Sequence, residues 1–183
     1  MGGIFALKVC VYAICKNESQ FADRFLDSMS EADYACVLDT GSSDDTVKKL
    51  RARGAIVGET VVSPWRFDTA RNESLGLIPA DADICCAIDL DEQFHPGWRA
   101  ALERAWQPDT TRARYRYTWS FRPDGSEGMV FWADKIHKNG CYRWASPVHE
   151  TLAYTGEGAE RFVDAAGVQL DHHPDETKSR GQY

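Results

Sequence analysis

A chain of 183 residues with 43% hydrophobic and 27% charged side chains has the length and composition of one folded domain, which excludes a disordered, collagen-like or coiled-coil protein. Its formal charge of −7, from 21 basic and 28 acidic residues, offers no field to a polyanion, so nucleic acid is excluded as the main partner. The longest apolar runs are strand length, too short for a transmembrane segment, and no basic stretch precedes an apolar core near Met1. Six cysteines sit inside apolar runs without a C-x-x-C pair, so reduced thiols in a cytoplasmic protein are expected. Cys10 and Cys15, on one predicted strand, would stand about 16 Å apart, too far to bridge.

From the N-terminus, apolar runs alternate with amphipathic stretches. A strand is predicted over residues 7–15, a helix over 19–29, a strand over 34–38, a helix over 44–53 and a strand over 55–62. The runs are continuously apolar, the pattern of parallel strands covered on both faces. The helix over 44–53 carries its own signals. Ser43 is placed to cap it, Asp44 and Asp45 lie at its positive end, Lys48, Lys49, Arg51 and Arg53 at its negative end, and Gly54 stops it. A short helix over 69–77 precedes the run 84–88, which reads as a fully buried central strand. Pro96 then opens a helix reaching Trp106.

From Arg112 the texture changes. Tyr115, Tyr117, Trp119 and Phe121 stand two apart, placing four aromatics on one strand face, and Arg122-Pro123-Asp124-Gly125 is a turn leading into a hairpin. Asn139-Gly140 signals a second, tight two-residue hairpin between residues 135–137 and 141–144, with His137 on the strand surface. Residues 178–183 read as the start of a further helix. No repeat or linker is visible, so residues 1–183 form one α/β domain whose second half is mixed or antiparallel.

Chemistry-bearing residues gather where predicted parallel strands end. Asp89-Leu90-Asp91-Glu92 follows the central run, and in an open α/β sheet ligands bind beyond the carboxyl ends of the strands. Asp89 and Asp91, two apart on extended chain, project to one side and offer hard oxygens to Mg²⁺ or Mn²⁺, with room left for phosphate. Asp39-Thr40-Gly41-Ser42 matches the signature of aspartic proteases, but that chemistry needs two such carboxylates in an all-β scaffold and only one copy is present. The α/β pattern instead puts Asp39 at the end of the second strand. Lys16-Asn17-Glu18 ends the first strand, and Arg71, after the third, is suited to bidentate contact with a diphosphate. Trp65 and Phe67 read as packing groups.

Taken in order, V-Y-A-I-C-K-N-E, V-L-D-T-G-S-S-D-D-T, A-R-N-E-S-L and I-D-L-D-E resemble the motifs of family 2 glycosyltransferases, over most of residues 8–106. The resemblance implies the GT-A fold: a Rossmann-like mixed sheet flanked by helices, with antiparallel hairpins in the C-terminal half. It implies a nucleotide-sugar-binding half over 1–106, an acceptor-side half over 107–183, and a UDP-sugar as the donor. Carried over by motif, Glu18 and Asp39 would hold the uridine, Arg71 would lie near the diphosphate, and Asp89 and Asp91 would form the D-x-D, with Asp89 serving donor and metal alike. Thr40 stands where the family often has a second Asp. Trp144-Ala145-Ser146-Pro147-Val148-His149-Glu150 is similar to the stretch that places the catalytic acid or base, which makes Glu150 the candidate. The stretch from Gly167 to Pro174 is similar to the late metal-binding histidine motif, and sharing a strand face with Val168 and Leu170 favours His172 over His173.

The expected activity is metal-dependent transfer of a sugar to an unidentified acceptor (glycan, lipid or protein), with Mn²⁺ or Mg²⁺ on Asp89, Asp91 and His172 and Glu150 as general base, inverting the anomeric centre. A nucleotidyltransferase would use similar acids but wants a glycine-rich phosphate loop, and residues 11–18 contain no glycine. A non-catalytic or degenerate sugar-nucleotide-binding domain is the other alternative.

Overall fold

The computed structural model describes residues 7–175. The first half runs β1 (Val9–Cys15), α1 (Ala22–Ser28), β2 (Tyr34–Asp39), α2 (Thr46–Ala52), β3 (Ile56–Glu59), α3 (Phe67–Leu75) and β4 (Ile84–Ala87). The second half adds β5 (Glu92–Phe94), α4 (Trp98–Ala105), β6 (Arg112–Thr118), β7 (Val130–Lys138), β8 (Tyr142–Ala145), β9 (Thr151–Tyr154) and β10 (Phe162–His172). The expected helix over 178–183, like residues 1–6, lies outside the described residues. No described helix is long and apolar enough to cross a membrane.

Eight strands form one mixed sheet in the order β3-β2-β1-β4-β7-β6-β10-β5, and β8 and β9 form a separate antiparallel pair. β1 pairs in parallel with both β2 and β4, while β7 is antiparallel to β4 and β6. Every residue of β1 is buried, which accounts for its unbroken apolar run. Val9, Val11 and Ala13 pack among Phe25 of α1, Leu50 of α2 and Trp98 and Leu102 of α4. On the other face Cys10 and Tyr12 pack against Trp144 and Leu152 of the small sheet. All six cysteines are free and five are buried, matching the expectation of unpaired core thiols.

Five local expectations are corrected. Ser43 does not cap α2: its N–H donates to Asn17 Oδ1 at 2.8 Å, while Asp44 Oδ1 accepts the Thr46 N–H at 3.0 Å, so the helix starts at Thr46. Pro96 is outside α4, which begins at Trp98 after Gly97 at φ +84°. The orphan N–H groups of Gly97 and Arg99 are met by the carboxylate of Glu31 at 2.6 and 3.1 Å, a cap from a residue distant in sequence. Asn139-Gly140 does not close a hairpin. Both edges of β7 are occupied by β4 and β6, so the turn, with Gly140 at φ +71°, sends the chain out of the main sheet into β8. Consequently His137 is not on the surface: it is 1% exposed and its Nε2 lies 2.9 Å from the Tyr12 hydroxyl. The aromatic row also divides, Tyr115 and Tyr117 entering the core while Trp119 and Phe121 remain exposed.

Candidate active site

Strand order reverses at β1, with β2 on one side and β4 on the other, so the loops leaving these three parallel strands open on one rim of the sheet. Asp39 ends β2 opposite Cys15 in register, and Asp89-Leu90-Asp91 follows β4. The two acidic segments, distant in sequence, therefore share the same rim with only β1 between their strands.

On the β2 side, Asp39 is 2% exposed and builds its own loop. Its Oδ1 accepts the N–H groups of Gly41 at 3.0 Å and Ser42 at 2.8 Å, and its Oδ2 accepts the Ser42 hydroxyl. Gly41, at φ +110°, is required by that turn. Asn17, from the loop after β1, stitches the same turn by donating its N–H to Ser42 Oγ at 2.8 Å and accepting from Ser43. Glu18 is half-buried on this rim, with its N–H on Thr46 Oγ1 at 2.8 Å. An α/β sheet with a self-engaged Asp39 is not the all-β dyad scaffold that protease chemistry needs.

On the β4 side, Arg71 of α3 is 3% exposed and joins two acids. Nη2 donates to Asp89 Oδ1 at 2.7 Å and Nε to Glu150 Oε1 at 3.0 Å, while the guanidinium carbon lies 5.2 Å from the Trp144 ring centroid. Its third nitrogen, Nη1, is buried without a partner among the described residues. Burial pulls the Arg71 guanidinium down, but Asp89 and Glu150 outweigh it and hold the group above its ordinary value. Burial likewise pushes the Asp89 carboxyl up, and Arg71 with Lys135 more than reverses this, leaving it lowered to about 2. Lys135 reaches Asp89 Oδ2 at 4.0 Å from a point where β7 gains an extra residue against β6, a bulge of the kind that re-aims side chains beside sites. Glu150 also lines a cleft of about 290 Å³ with Arg112, Asp134, Lys135, Trp144, Thr151 and Leu152.

Asp91 is used differently from Asp89. Its Oδ2 lies 3.3 Å from His172 Nε2, at the end of β10, and its backbone oxygen accepts the His173 N–H at 2.8 Å. His172 Nδ1 sits 3.0 Å from the Trp119 carbonyl, and the ring stacks on Trp119 at 4.4 Å between centroids. That hydrogen bond fixes the ring and aims Nε2 at Asp91. Burial lowers the His172 pKa, but the bonds to Asp91 and Trp119 prevail and the value is raised. His173 turns away and stacks on Phe121 at 5.1 Å. A carboxylate oxygen and an imidazole nitrogen converging at this spacing fit a divalent cation such as Mn²⁺ or Mg²⁺. Among the described residues no third His, Cys, Asp or Glu joins them, so further positions fall to a ligand's oxygens or water.

The rim thus brings together Arg71, Asp89 and Glu150 in one cluster and Asp91 with His172 in a second, joined through the Asp89-Leu90-Asp91 segment. Asp39 and Glu18 stand across β1 from them. Four contributors have no role in the sequence reading. Lys135 depends on a bulge that no pattern announces. Glu92 is buried, accepting the Asp89 N–H at 2.8 Å and the Tyr117 hydroxyl at 2.5 Å, and so sets the acidic turn. Asn72 holds β8 in place, its Oδ1 and Nδ2 bonding the N–H and carbonyl of Trp144 at 2.9 and 2.8 Å. Trp119 orients His172.

No family model matches the chain. Among solved structures it is similar to glucosyl-3-phosphoglycerate synthase from Mycobacterium tuberculosis in complex with Mn²⁺, UDP and phosphoglyceric acid. The two are 26% identical with a TM-score of 0.50, over 61% of this chain and 44% of that one. This chain has the GT-A glycosyltransferase fold. The same synthase with Mg²⁺ and UDP superposes equally, with a TM-score of 0.50 at 26% identity. A mycobacterial protein shares the GT-A architecture over 94% of this chain and 69% of its own, at 16% identity and a TM-score of 0.60. The chain spans under half the length of the synthase it matches, 44%.

Proposed function

We propose that this GT-A chain is a metal-dependent glycosyltransferase that moves a sugar from a nucleotide-sugar, a UDP-sugar in this reading, to an acceptor nucleophile with inversion. The observation that carries it is the convergence, at the carboxyl rim of β1, β2 and β4, of the Asp91–His172 pair with the Arg71-linked acids Asp89 and Glu150. The complexes of the similar synthase with UDP and with Mn²⁺ or Mg²⁺ support the donor and metal class. Free thiols support a reducing, cytoplasmic setting.

In this reading Glu18 and Asp39 border the uridine, and Asp91 with His172, helped by the adjacent Asp89, would hold the cation near the diphosphate. When bound, the cation neutralises charge that grows on the departing diphosphate. Arg71 fixes Glu150 through Oε1, and the second oxygen, without a partner among the described residues, would take the acceptor's proton. The acceptor oxygen then attacks the anomeric carbon in line, forming the new C–O bond as the bond to the diphosphate breaks.

Calorimetry with nucleoside diphosphates, with and without Mn²⁺, tests the site. UDP binding that requires both the metal and Asp91, and is lost in Asp91→Asn, is expected; binding indifferent to Asp91 overturns the assignment. Glu150→Gln should retain UDP binding while transfer falls by about 10²–10⁴-fold, the usual contribution of a general base. Metal-dependent UDP binding without transfer or donor hydrolysis would make the chain a sugar-nucleotide-binding domain instead.

A further inference from the structure

The hairpin of β6 and β7 runs past the edge of the main sheet and carries large aromatic rings into solvent beside the site. On the face that meets Asp91, Phe131 packs edge-on to Tyr117 at 5.1 Å, Tyr117 lies 6.1 Å from Trp119, and Trp119 stacks on His172. Tyr117 is buried with its hydroxyl on Glu92, whereas Trp119 and Phe131 are 47% and 43% exposed. The result is an apolar wall of edge-to-face rings whose inner end is the Asp91–His172 pair and whose base rests on the acidic turn. Exposed patches of this kind mark places where something binds.

The occupant follows from where the wall lies and what surrounds it. A nucleobase belongs across β1, beside Asp39 and Glu18, whereas the wall belongs to β6 and β7, on the opposite side of β4. A lipid surface is disfavoured by the chain's charge of −7 and by Asp89, Asp91 and Glu92 at the inner end of the wall. A pyranose ring suits it: one face of C–H groups lies on an aromatic ring, and the hydroxyls around its edge reach acids and bases. Trp119 stacks on His172 and Phe131 stands across Tyr117 from it, so in the reading above the second ring is left for a sugar other than the one on the diphosphate.

Resting on the reading given under Proposed function, we propose that Trp119 and Phe131 form a stacking platform for the pyranose ring of a carbohydrate acceptor. The acceptor class is therefore a saccharide or glycoside. Trp132, the next residue along β7, pairs with Arg116 on the other face of the hairpin and is 53% exposed, so it supplies an internal control of equal chemistry.

Saturation-transfer NMR with methyl glucosides, galactosides, mannosides and N-acetylglucosaminides, in the presence of UDP and Mg²⁺, tests the platform. The expected result is saturation of C–H protons on one face of at least one glycoside. It should weaken by about tenfold or more in Phe131→Ala and Trp119→Ala, the loss of one ring contact or two, and persist in Trp132→Ala. UDP affinity should stay unchanged in Phe131→Ala and Trp132→Ala. UDP binding without any glycoside saturation overturns the platform and leaves the nucleotide-sugar reading standing. Saturation that survives Phe131→Ala, or disappears equally in Trp132→Ala, also overturns it. So does a selective loss of UDP-glucose affinity relative to UDP in Phe131→Ala, which would hand the wall to the donor. Sedimentation with phosphatidylcholine–phosphatidylglycerol vesicles that both Phe131→Ala and Trp132→Ala abolish would make the hairpin a membrane paddle and overturn the saccharide. Glycoside saturation abolished by Phe131→Ala in a protein that fails to bind UDP would sustain the saccharide site and remove the nucleotide-sugar reading.

Discussion

Arg71 shows how one side chain ties chemistry to stability. It is the cation that Asp89 and Glu150 share inside a nearly closed space, and its own burial is tolerable only because both acids face it. Arg71→Met keeps the volume and removes the charge, leaving two partly buried carboxylates facing each other. The expected cost is about 3 kcal/mol in a chemical-denaturation experiment, at the low end for a broken buried pair because Asp89 keeps 35% of its side-chain surface in water. Adding Glu150→Gln should return part of that loss, since one of the stranded charges is gone; an unchanged double variant would show that the two groups do not interact. The sign of the pH effect follows from Asp89. With its carboxyl lowered to about 2 from 3.8, its stabilising contribution is complete above 3.8 and disappears as pH falls toward 2.

Among the elements, the small sheet is the piece whose position matters most for Glu150. The loop that carries Glu150 joins β8 to β9, and β8 is anchored to α3 through Asn72. Asn72→Ala removes both bonds to the Trp144 backbone and leaves a buried N–H and carbonyl unmet, a loss of about 2 kcal/mol that thermal or chemical denaturation would show. Amide exchange in β8 should accelerate, with β1 unaffected. The four-residue run Ala70-Arg71-Asn72-Glu73 was legible as a motif because one helix presents Arg71 to the acids and Asn72 to the neighbouring strand. The Asn139-Gly140 turn was misleading for a matching reason: turn chemistry is local, but whether the next strand can pair depends on whether the edge is already taken. His137 follows from the same oversight. As a core residue its pKa falls from 6.5 to about 4, chiefly through desolvation, so the unfolded chain takes up a proton in that interval and the folded one does not. Stability is therefore full above pH 6.5 and declines by about 3 kcal/mol as pH drops to 4. A stability profile of His137→Gln should be flatter across that window; an identical slope would locate the acid sensitivity elsewhere.

Across the whole molecule, the parallel half was readable because burial on both faces leaves a continuous apolar signature in β1 and β4, and because a strand's end is where the acids were found. The second half was not, since β10 inserts between β6 and β5 and β7 bulges, pairings that carry no local signature. Glu31 capping α4 and Lys135 reaching Asp89 belong to the same class, contacts made only once distant segments meet.

The position of β10 has a temporal consequence. His172 stands at the far end of the last described strand, 81 positions after Asp91, whose carboxylate its Nε2 faces at 3.3 Å. A chain still emerging from the ribosome carries its aspartate turn long before the imidazole arrives, so the pair cannot form until synthesis has passed that strand and it has threaded between its neighbours. Under the proposed function, a cation would be recruited by the finished sheet alone.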